Sequence, residues 1–178
     1  PRSRGLGDVY KRQYVNSAGT KLWDIAANGG TAAGNFNNNI FGIGREDCQS
    51  LHQRQSVSAN SRTELLTIGN KSIIGTANAA TNNNNITNDN TFLLLGDNNG
   101  ALAYAASGEY AYLGRRWKVS NTGITEAVKI SAPAPGHSKY LNLPVYPTNL
   151  TTDGKLYLVI DPNGDGNFAD ATYTATSE

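Results

Sequence analysis

The stretch Phe41-Gly-Ile-Gly-Arg-Glu-Asp47 decides the fold that we expect for this chain. Its glycines suit a backbone that turns sharply or approaches another strand closely. The charged residues that follow, Arg45, Glu46 and Asp47, can form a local network of charge-assisted hydrogen bonds. No reaction chemistry requires this combination of residues. We therefore interpret Arg45, Glu46 and Asp47, together with Trp117 as a core anchor, as a structural cassette.

Short apolar runs between turn residues predict an all-β protein. Asn and Gly are abundant, and apolar residues at helical spacing are nowhere sustained. Trp117 and Val119 alternate with charged residues, which is typical of a strand with one solvent-facing side. We expect an antiparallel β-sandwich, jelly-roll-like, with long Asn/Gly-rich loops. The predicted strands are 14–15 and 21–23 as a hairpin, 64–68 ended by Gly69-Asn70, 91–95, 116–119, 128–130, 156–160 as a central strand, and 171–175 beside it.

The length of 178 residues suits one domain, which we place at 14–178. Residues 1–13 are set apart because Asp8-Val-Tyr-Lys-Arg-Gln13 resembles the translation of an adaptor used in sequencing libraries. We expect that segment to be an artefact of that kind or a disordered tail. The chain contains no methionine, so we also expect it to be a fragment of a larger multidomain protein.

Charge and cysteine content exclude several classes of function. The net charge is +1 and 16% of residues are charged, so no basic surface for nucleic acid is expected. No apolar run approaches the roughly 20 residues that a membrane helix needs, and we expect no membrane insertion. A single cysteine, Cys48, excludes an internal disulfide framework.

A series of motifs lies between residues 14 and 168: Tyr14-Val-Asn-Ser-Ala-Gly-Thr20 with Trp23-Asp24, Ile43-Gly-Arg-Glu-Asp47 with Leu51, Gln53 and Gln55, Thr67-Ile-Gly69, 92–100, 115–119 and 156–160. In this order the motifs resemble an uncharacterised domain family of large bacterial secreted and cell-surface proteins. The resemblance implies a β-sandwich module of adhesin-like proteins, often beside lectin-like domains and in some members cargo of type IX secretion. It implies no catalytic residues, and Cys48 stands where a small residue is expected, which indicates that the thiol is dispensable.

The residues that could support catalysis do not form a recognised motif. His52 and His137 are the histidines, and Cys48 would meet His52 only on a helix, as a thiolate pair. We favour a buried thiol near a surface imidazole. Glu46 and Asp47 are adjacent, so on a strand they would face opposite sides instead of a shared glycosidase cleft. We therefore expect no enzyme activity.

Aromatic residues and long loops supply the candidates for ligand binding. Trp23 is expected in the core. Tyr104, Tyr110 and Tyr112 are predicted to lie in a Gly/Ala-rich loop and are candidates for a ligand surface, although packing of this loop on the core is favoured. The Asn-rich stretch 70–90 is predicted to be a disordered or solvent-facing insertion, with a functional lid as the alternative.

The segment Asp161-Pro-Asn-Gly-Asp-Gly-Asn-Phe-Ala-Asp170 is the candidate metal loop. Asp161, Asn163 and Asp165 lie two residues apart, and the glycine after them permits the turn that would bring their oxygens to one Ca²⁺ ion. Asp170 could supply a further carboxylate. A helical EF-hand is excluded because Thr172 replaces the bidentate glutamate. A hairpin turn without metal is the alternative.

These expectations converge on a non-catalytic module of an exported bacterial protein, located outside the cell or on its outer surface. Its role would be adhesion or the presentation of neighbouring domains of its own chain, with an extracellular ligand such as a glycan as partner. A carbohydrate-binding auxiliary module of a secreted enzyme is the alternative.

Overall fold

A computed structural model describes residues 14–28, 35–57, 66–73, 82–101, 104–107, 110–131, 157–160 and 172–175. Within these residues the chain forms β-strands, one short α-helix, Ile25–Asn28, and one 3₁₀ turn, Asp47–Gln49. The strands are β1 Tyr14–Val15, β2 Lys21–Trp23, β3 Asn38–Glu46, β4 Leu51–Gln53, β5 Gln55–Val57, β6 Thr67–Asn70, β7 Thr91–Asp97, β8 Tyr104–Ser107, β9 Tyr110–Leu113, β10 Trp117–Thr122, β11 Val128–Ser131, β12 Tyr157–Ile160 and β13 Thr172–Ala175.

All pairings between these strands are antiparallel, which confirms the all-β class. The largest sheet has four strands in the order β10-β7-β3-β4, and a second sheet has three in the order β11-β6-β5. Arg54 alone separates β4 from β5, so the chain passes from one sheet to the other at this residue. Three two-stranded pairs, β1-β2, β8-β9 and β12-β13, complete the described strands.

The main core cluster joins the two larger sheets. Ile43 of β3 and Leu95 of β7 pack with Ile68 of β6, and all three side chains are at most 2% exposed. Burial of such side chains is the largest favourable contribution to folding, at roughly 25 cal/mol per Å² of apolar surface removed from water. The sheets therefore share apolar contacts, and the sandwich arrangement remains a prediction.

A second cluster covers the opposite face of the four-stranded sheet. Trp23 and Leu22 of β2 pack there against Phe92 and Leu94 of β7. All seven residues of β7 are buried, which agrees with the continuous apolar run in its sequence. Gly42 lets β3 lie close to this strand, because a Cβ at that position would collide with the carbonyl oxygen of Leu93 and the side chain of Leu94.

Three details differ from the sequence-based expectation. Gly69 and Asn70 continue β6 instead of ending it, because both pair with β11 and Gly69 also pairs with β5. The expected central strand β12 pairs with β13 alone among the described strands, and Ile160 is 47% exposed. Residues 82–90, which we call the strap, have no regular secondary structure, and six of them are exposed, as predicted for a solvent-facing insertion, but two are buried. Its Asn82 and Ile86 are 1% and 0% exposed.

No helix among the described residues is long and apolar enough to cross a membrane.

Candidate functional site

Arg45 forms the centre of the structural cassette. It lies near the end of β3, where its Nε and Nη2 atoms donate to the two carboxylate oxygens of Asp47 at 2.7 and 2.8 Å. The hydrogen bond from the guanidinium lowers the pKa of the Asp47 carboxyl and raises the pKa of Arg45. This bidentate geometry orients the third nitrogen of the guanidinium towards the strap.

The same arginine holds the strap through backbone oxygens. Nη1 of Arg45 donates to the carbonyls of Ile86 at 3.0 Å and Thr87 at 2.8 Å. In return, the Asp89 carboxylate of the strap accepts the backbone N–H of Asp47 at 2.7 Å. The cassette thus connects one end of the largest sheet to a segment about 40 residues later in the chain.

Glu46 points away from this network. Its carboxylate is buried, with the residue 5% exposed, and accepts the backbone N–H of Ser17 at 2.7 Å in the turn between β1 and β2. Cys48, on the 3₁₀ turn, is exposed and lies 3.1 Å from the hydroxyl of Ser17. The expectation of a buried thiol is therefore wrong, because the 3₁₀ turn leaves the sheet surface directly after Glu46.

His52 binds the strap from the neighbouring strand. On β4 it faces Arg45 in register, and its Nε2 accepts the backbone N–H of Ile86 at 3.0 Å. Nη2 of Arg54 lies 3.2 Å from its Nδ1. Partial burial, followed by the charges of Arg54 and Arg45, lowers the pKa of His52. The Cys48–His52 thiolate pair that a helix would have formed is not made, since the thiol contacts Ser17 and the imidazole contacts Ile86.

Two further side chains fix the strap. The fully buried amide of Asn70 donates to the carbonyls of Asn84 at 3.2 Å and Asn85 at 2.9 Å. Glu126 accepts the backbone N–H of Thr87 at 2.6 Å, and the hydrogen bonding by Thr87 lowers the pKa of its carboxyl to about 2. Buried backbone groups of a segment without regular structure require partners of this kind.

A second polar network lies at the opposite end of the largest sheet, where β7 ends. Asp97 is fully buried and accepts the backbone N–H of Asn99 and the side-chain amide of Asn39, both at 2.7 Å. Arg115 lies 3.6 Å from the same carboxylate, and its side chain is 10% exposed. Asn39 and Asn99 have φ of 48° and 53°, values that asparagine tolerates better than most residues.

This network closes the base of the β8–β9 hairpin. The Asn98 side-chain oxygen accepts the backbone N–H groups of Gly100 and Arg116, both at 3.0 Å. Nε of Arg115 donates to the Gly100 carbonyl at 3.0 Å. A Cβ on Gly100 would collide with the carbonyl of Gly114, so the two chain segments that lead into the hairpin nearly touch.

The candidate tyrosines lie on the strands of this hairpin, so the prediction of a loop is wrong, because residues 104–107 and 110–113 pair as β8 and β9. Backbone register pairs Tyr104 with Leu113, Tyr112 with Ala105 and Tyr110 with Ser107. Positions 110 and 112 therefore fall on one face of the hairpin by the two-residue period of a strand. Packing of this segment on the core, which we favoured, stays a prediction.

The two tryptophans occupy different environments. Trp23 is 0% exposed and its Nε1 donates to the side-chain oxygen of Asn37 at 2.8 Å. Trp117 packs partly buried against the main core cluster, and its indole N–H has no hydrogen-bond partner among the described residues. Trp117 pairs with Asp97, whereas Arg45 pairs with Thr91, so the two residues lie at opposite ends of the largest sheet. Trp117 is therefore a residue that packs on the core and is not part of the cassette, which corrects the expectation that grouped them.

The predicted calcium ligands Asp161, Asn163, Asp165 and Asp170 lie outside the described residues. Across the described ranges, no group of three or more His, Cys, Asp or Glu side chains is arranged to hold a metal ion.

Sequence reasoning missed the roles of Asp97, Asn70 and His52. The strand predicted at 91–95 extends through Asp97, and nothing in the string Asp97-Asn-Asn-Gly100 reveals that the carboxylate is buried. The useful signal was positional: an aspartate at the end of a strand that is buried on both faces has no exposed side to occupy.

Neither a curated protein nor a solved structure matches the chain. The expectation that the chain belongs to an uncharacterised domain family is supported by a family model. The model of a family described as a domain of unknown function (DUF8202) matches residues 6–178, and the chain belongs to that family.

Proposed function

We propose that this chain is a non-catalytic module of an exported bacterial surface protein, where it acts in adhesion or presents neighbouring domains. The observation that supports the proposal is how Arg45 is used. Among the described residues, its hydrogen bonds go to Asp47 and to two backbone carbonyls of the strap. A guanidinium committed in this way fastens loops to a sheet and has little capacity left for a substrate.

The other charged groups near the core follow the same pattern. Glu46 is bound to the turn after β1, and Asp97 to the base of the β8–β9 hairpin. His52 accepts a backbone N–H instead of facing a nucleophile. General acid–base catalysis needs a titratable group within hydrogen-bond reach of a substrate proton, and these groups are occupied by the fold itself. Structural fastening is therefore the role that their contacts support best.

The test measures binding and turnover on the same samples. Beads coated with the full chain are incubated with a panel of polysaccharides and extracellular matrix proteins, and both retained ligand and released products are quantified. We expect retention, or no interaction, without products. Product release from any substrate would overturn the non-catalytic assignment. Location is tested separately by expressing the complete gene product and labelling intact cells with an antibody against this domain.

A carbohydrate-binding auxiliary module is the second candidate, and the closed base of the β8–β9 hairpin favours it. Gly100, Arg115 and Asn98 fix the segments that lead into the hairpin bearing Tyr104, Tyr110 and Tyr112. Aromatic rings on a preorganised element bind ligands at a low entropic cost. Glycan binding should then be lost in Tyr110→Ala and Tyr112→Ala and kept in Tyr173→Ala, which removes a tyrosine from the separate strand β13. Equal affinity in all three variants would exclude the hairpin as the site.

A further inference from the structure

The imidazole of His52 faces hydrogen-bond donors on both of its nitrogens. Ile86 N–H points at Nε2 from 3.0 Å, and Nη2 of Arg54 lies 3.2 Å from Nδ1. A neutral imidazole has one nitrogen with a free lone pair, whereas the imidazolium has none. Because Nε2 accepts from Ile86, the neutral ring carries its hydrogen on Nδ1, and a second proton binds at Nε2. Protonation therefore removes the acceptor for Ile86 and leaves both ring nitrogens as donors that face other donors.

The charges around the ring come from each element that packs against it. Arg45 on β3 and Arg54 between β4 and β5 are cationic, and both disfavour a charged imidazole. Asp47 on the 3₁₀ turn acts in the opposite direction but is the weakest of these influences. The carboxylate of Asp89, on the strap, accepts the backbone N–H of Asp47. The carboxylate of Glu126, between β10 and β11, accepts the backbone N–H of Thr87.

Ile86 is the residue of the strap that matters most for the core. Its side chain is 0% exposed and belongs to the main core cluster with Ile43 and Ile68. Its backbone is bound on both sides, by His52 at the N–H and by Arg45 at the carbonyl. Loss of the first bond leaves a buried N–H without an acceptor, which is costly in a segment that has no regular secondary structure.

We propose that protonation of His52 detaches the strap at Ile86, so that this segment opens locally as the solution becomes acidic. The direction of the pH effect follows from how strongly His52 binds a proton when the strap is closed and when it is open. Burial and the nearby arginines lower the pKa of His52 from its ordinary 6.5 in the closed state, so the open state binds the proton first as the pH falls. The free energy that keeps the strap closed is complete above pH 6.5 and decreases below it. Asp47 and Glu126 have lowered pKa values, so their bonds persist while His52 titrates.

Amide hydrogen exchange on the full chain at pH 7 and pH 5 tests whether protonation of His52 opens the strap. Rates are expressed relative to unstructured peptides at each pH, which removes the intrinsic pH dependence. We expect protection of the Ile86 amide to fall about two- to tenfold at pH 5, the range for loss of one ordinary hydrogen bond. In His52→Gln, whose amide oxygen accepts at both pH values, protection should not change with pH. His137→Gln, the matched control, should behave as the wild type does.

Two further measurements test the proposal without depending on whether His52→Gln folds stably. In the wild type, the ¹⁵N shift of His52 Nε2 and the Ile86 amide shift should titrate together. Arg54→Gln, which removes a cation beside the ring, should move both midpoints to higher pH. Unchanged Ile86 protection in the wild type, separate midpoints, or the same acid response in His52→Gln would each overturn the proposal.

Discussion

Asp97 shows how much one buried side chain contributes at the end of the largest sheet. Its carboxylate accepts hydrogen bonds from Asn99 and Asn39 and lies near Arg115. Removing one partner of a buried ion pair leaves the other charge uncompensated, which typically costs about 3–5 kcal/mol. The residue therefore sets both the stability of the fold and the order of the hairpin base.

We expect Asp97→Ala to lower the free energy of unfolding by about 3 kcal/mol or more, measured by urea denaturation. Asp24→Asn is the matched control. Asp24 accepts the backbone N–H of Ala26 and Ala27 at the start of the short helix, and asparagine can make the same bonds. Its unfolding curve should coincide with that of the wild type. Equal stability of the Asp97 variant and the control would contradict the buried network.

The two tryptophans give a paired prediction. Trp117→Ala should cost about 3 kcal/mol, the lower end for an aromatic truncation because the side chain is only partly buried. Trp117→Phe should be nearly neutral, since the indole N–H that it deletes has no hydrogen-bond partner among the described residues.

Trp23→Phe should instead cost about 1–3 kcal/mol, because it leaves the buried Asn37 oxygen without its donor. Thermal denaturation of the three variants checks the order of stability. A Trp117→Ala variant as stable as the wild type would place this ring on a binding surface and not in the core.

At the scale of elements, several strands were predictable, whereas the strands β8 and β9 and the strap were not. The hairpin of β1 and β2, the strand β7 and the pair β12–β13 follow from apolar runs between turn residues. Residues 82–90 carry no such period, and their order comes from side chains far away in the sequence, chiefly Arg45, His52 and Asn70. A single sequence gives no signal for bonds of that range. The apolar run at 156–160 also predicted a central strand, whereas β12 pairs with β13 alone among the described strands, because a single sequence does not show which strands lie near one another.

Glu126 gives the strap a second, more acidic dependence on pH. Its pKa is lowered from 4.5 to about 2 in the folded protein, first by hydrogen bonding with Thr87. A lowered carboxyl pKa contributes stability that is present above pH 4.5 and lost as the pH falls towards 2. Glu126→Gln should therefore flatten the decrease of the unfolding free energy between pH 4.5 and 2 and leave the His52 region unchanged. Parallel curves for variant and wild type across this window would show that the carboxylate does not hold the strap.

At the scale of the molecule, the polar networks fasten loops at opposite ends of one sheet. Arg45 acts at the end of β3, and Asp97 at the end of β7. Such an arrangement suits a module that keeps a fixed shape between neighbouring domains, which is the role that we propose. A calcium ion bound by the loop 161–170 is a further candidate for stabilising the module that we propose, because extracellular modules can bind this ion.

Calcium titration decides whether the loop 161–170 is a metal site or a turn. We expect binding with a Kd of about 10⁻⁴ to 10⁻³ M and a higher Tm in millimolar calcium, because three oxygen side chains two residues apart can converge on one ion. Calorimetry on Asp161→Ala combined with Asp165→Ala should show no heat of binding. Asp153→Ala, which removes an aspartate that precedes the loop, should bind as the wild type does. Absence of heat and of thermal stabilisation in the wild type would leave a hairpin turn, in which Asn163-Gly and Asp165-Gly serve only the backbone. Heat that survives in the double variant would place the ion elsewhere in the chain.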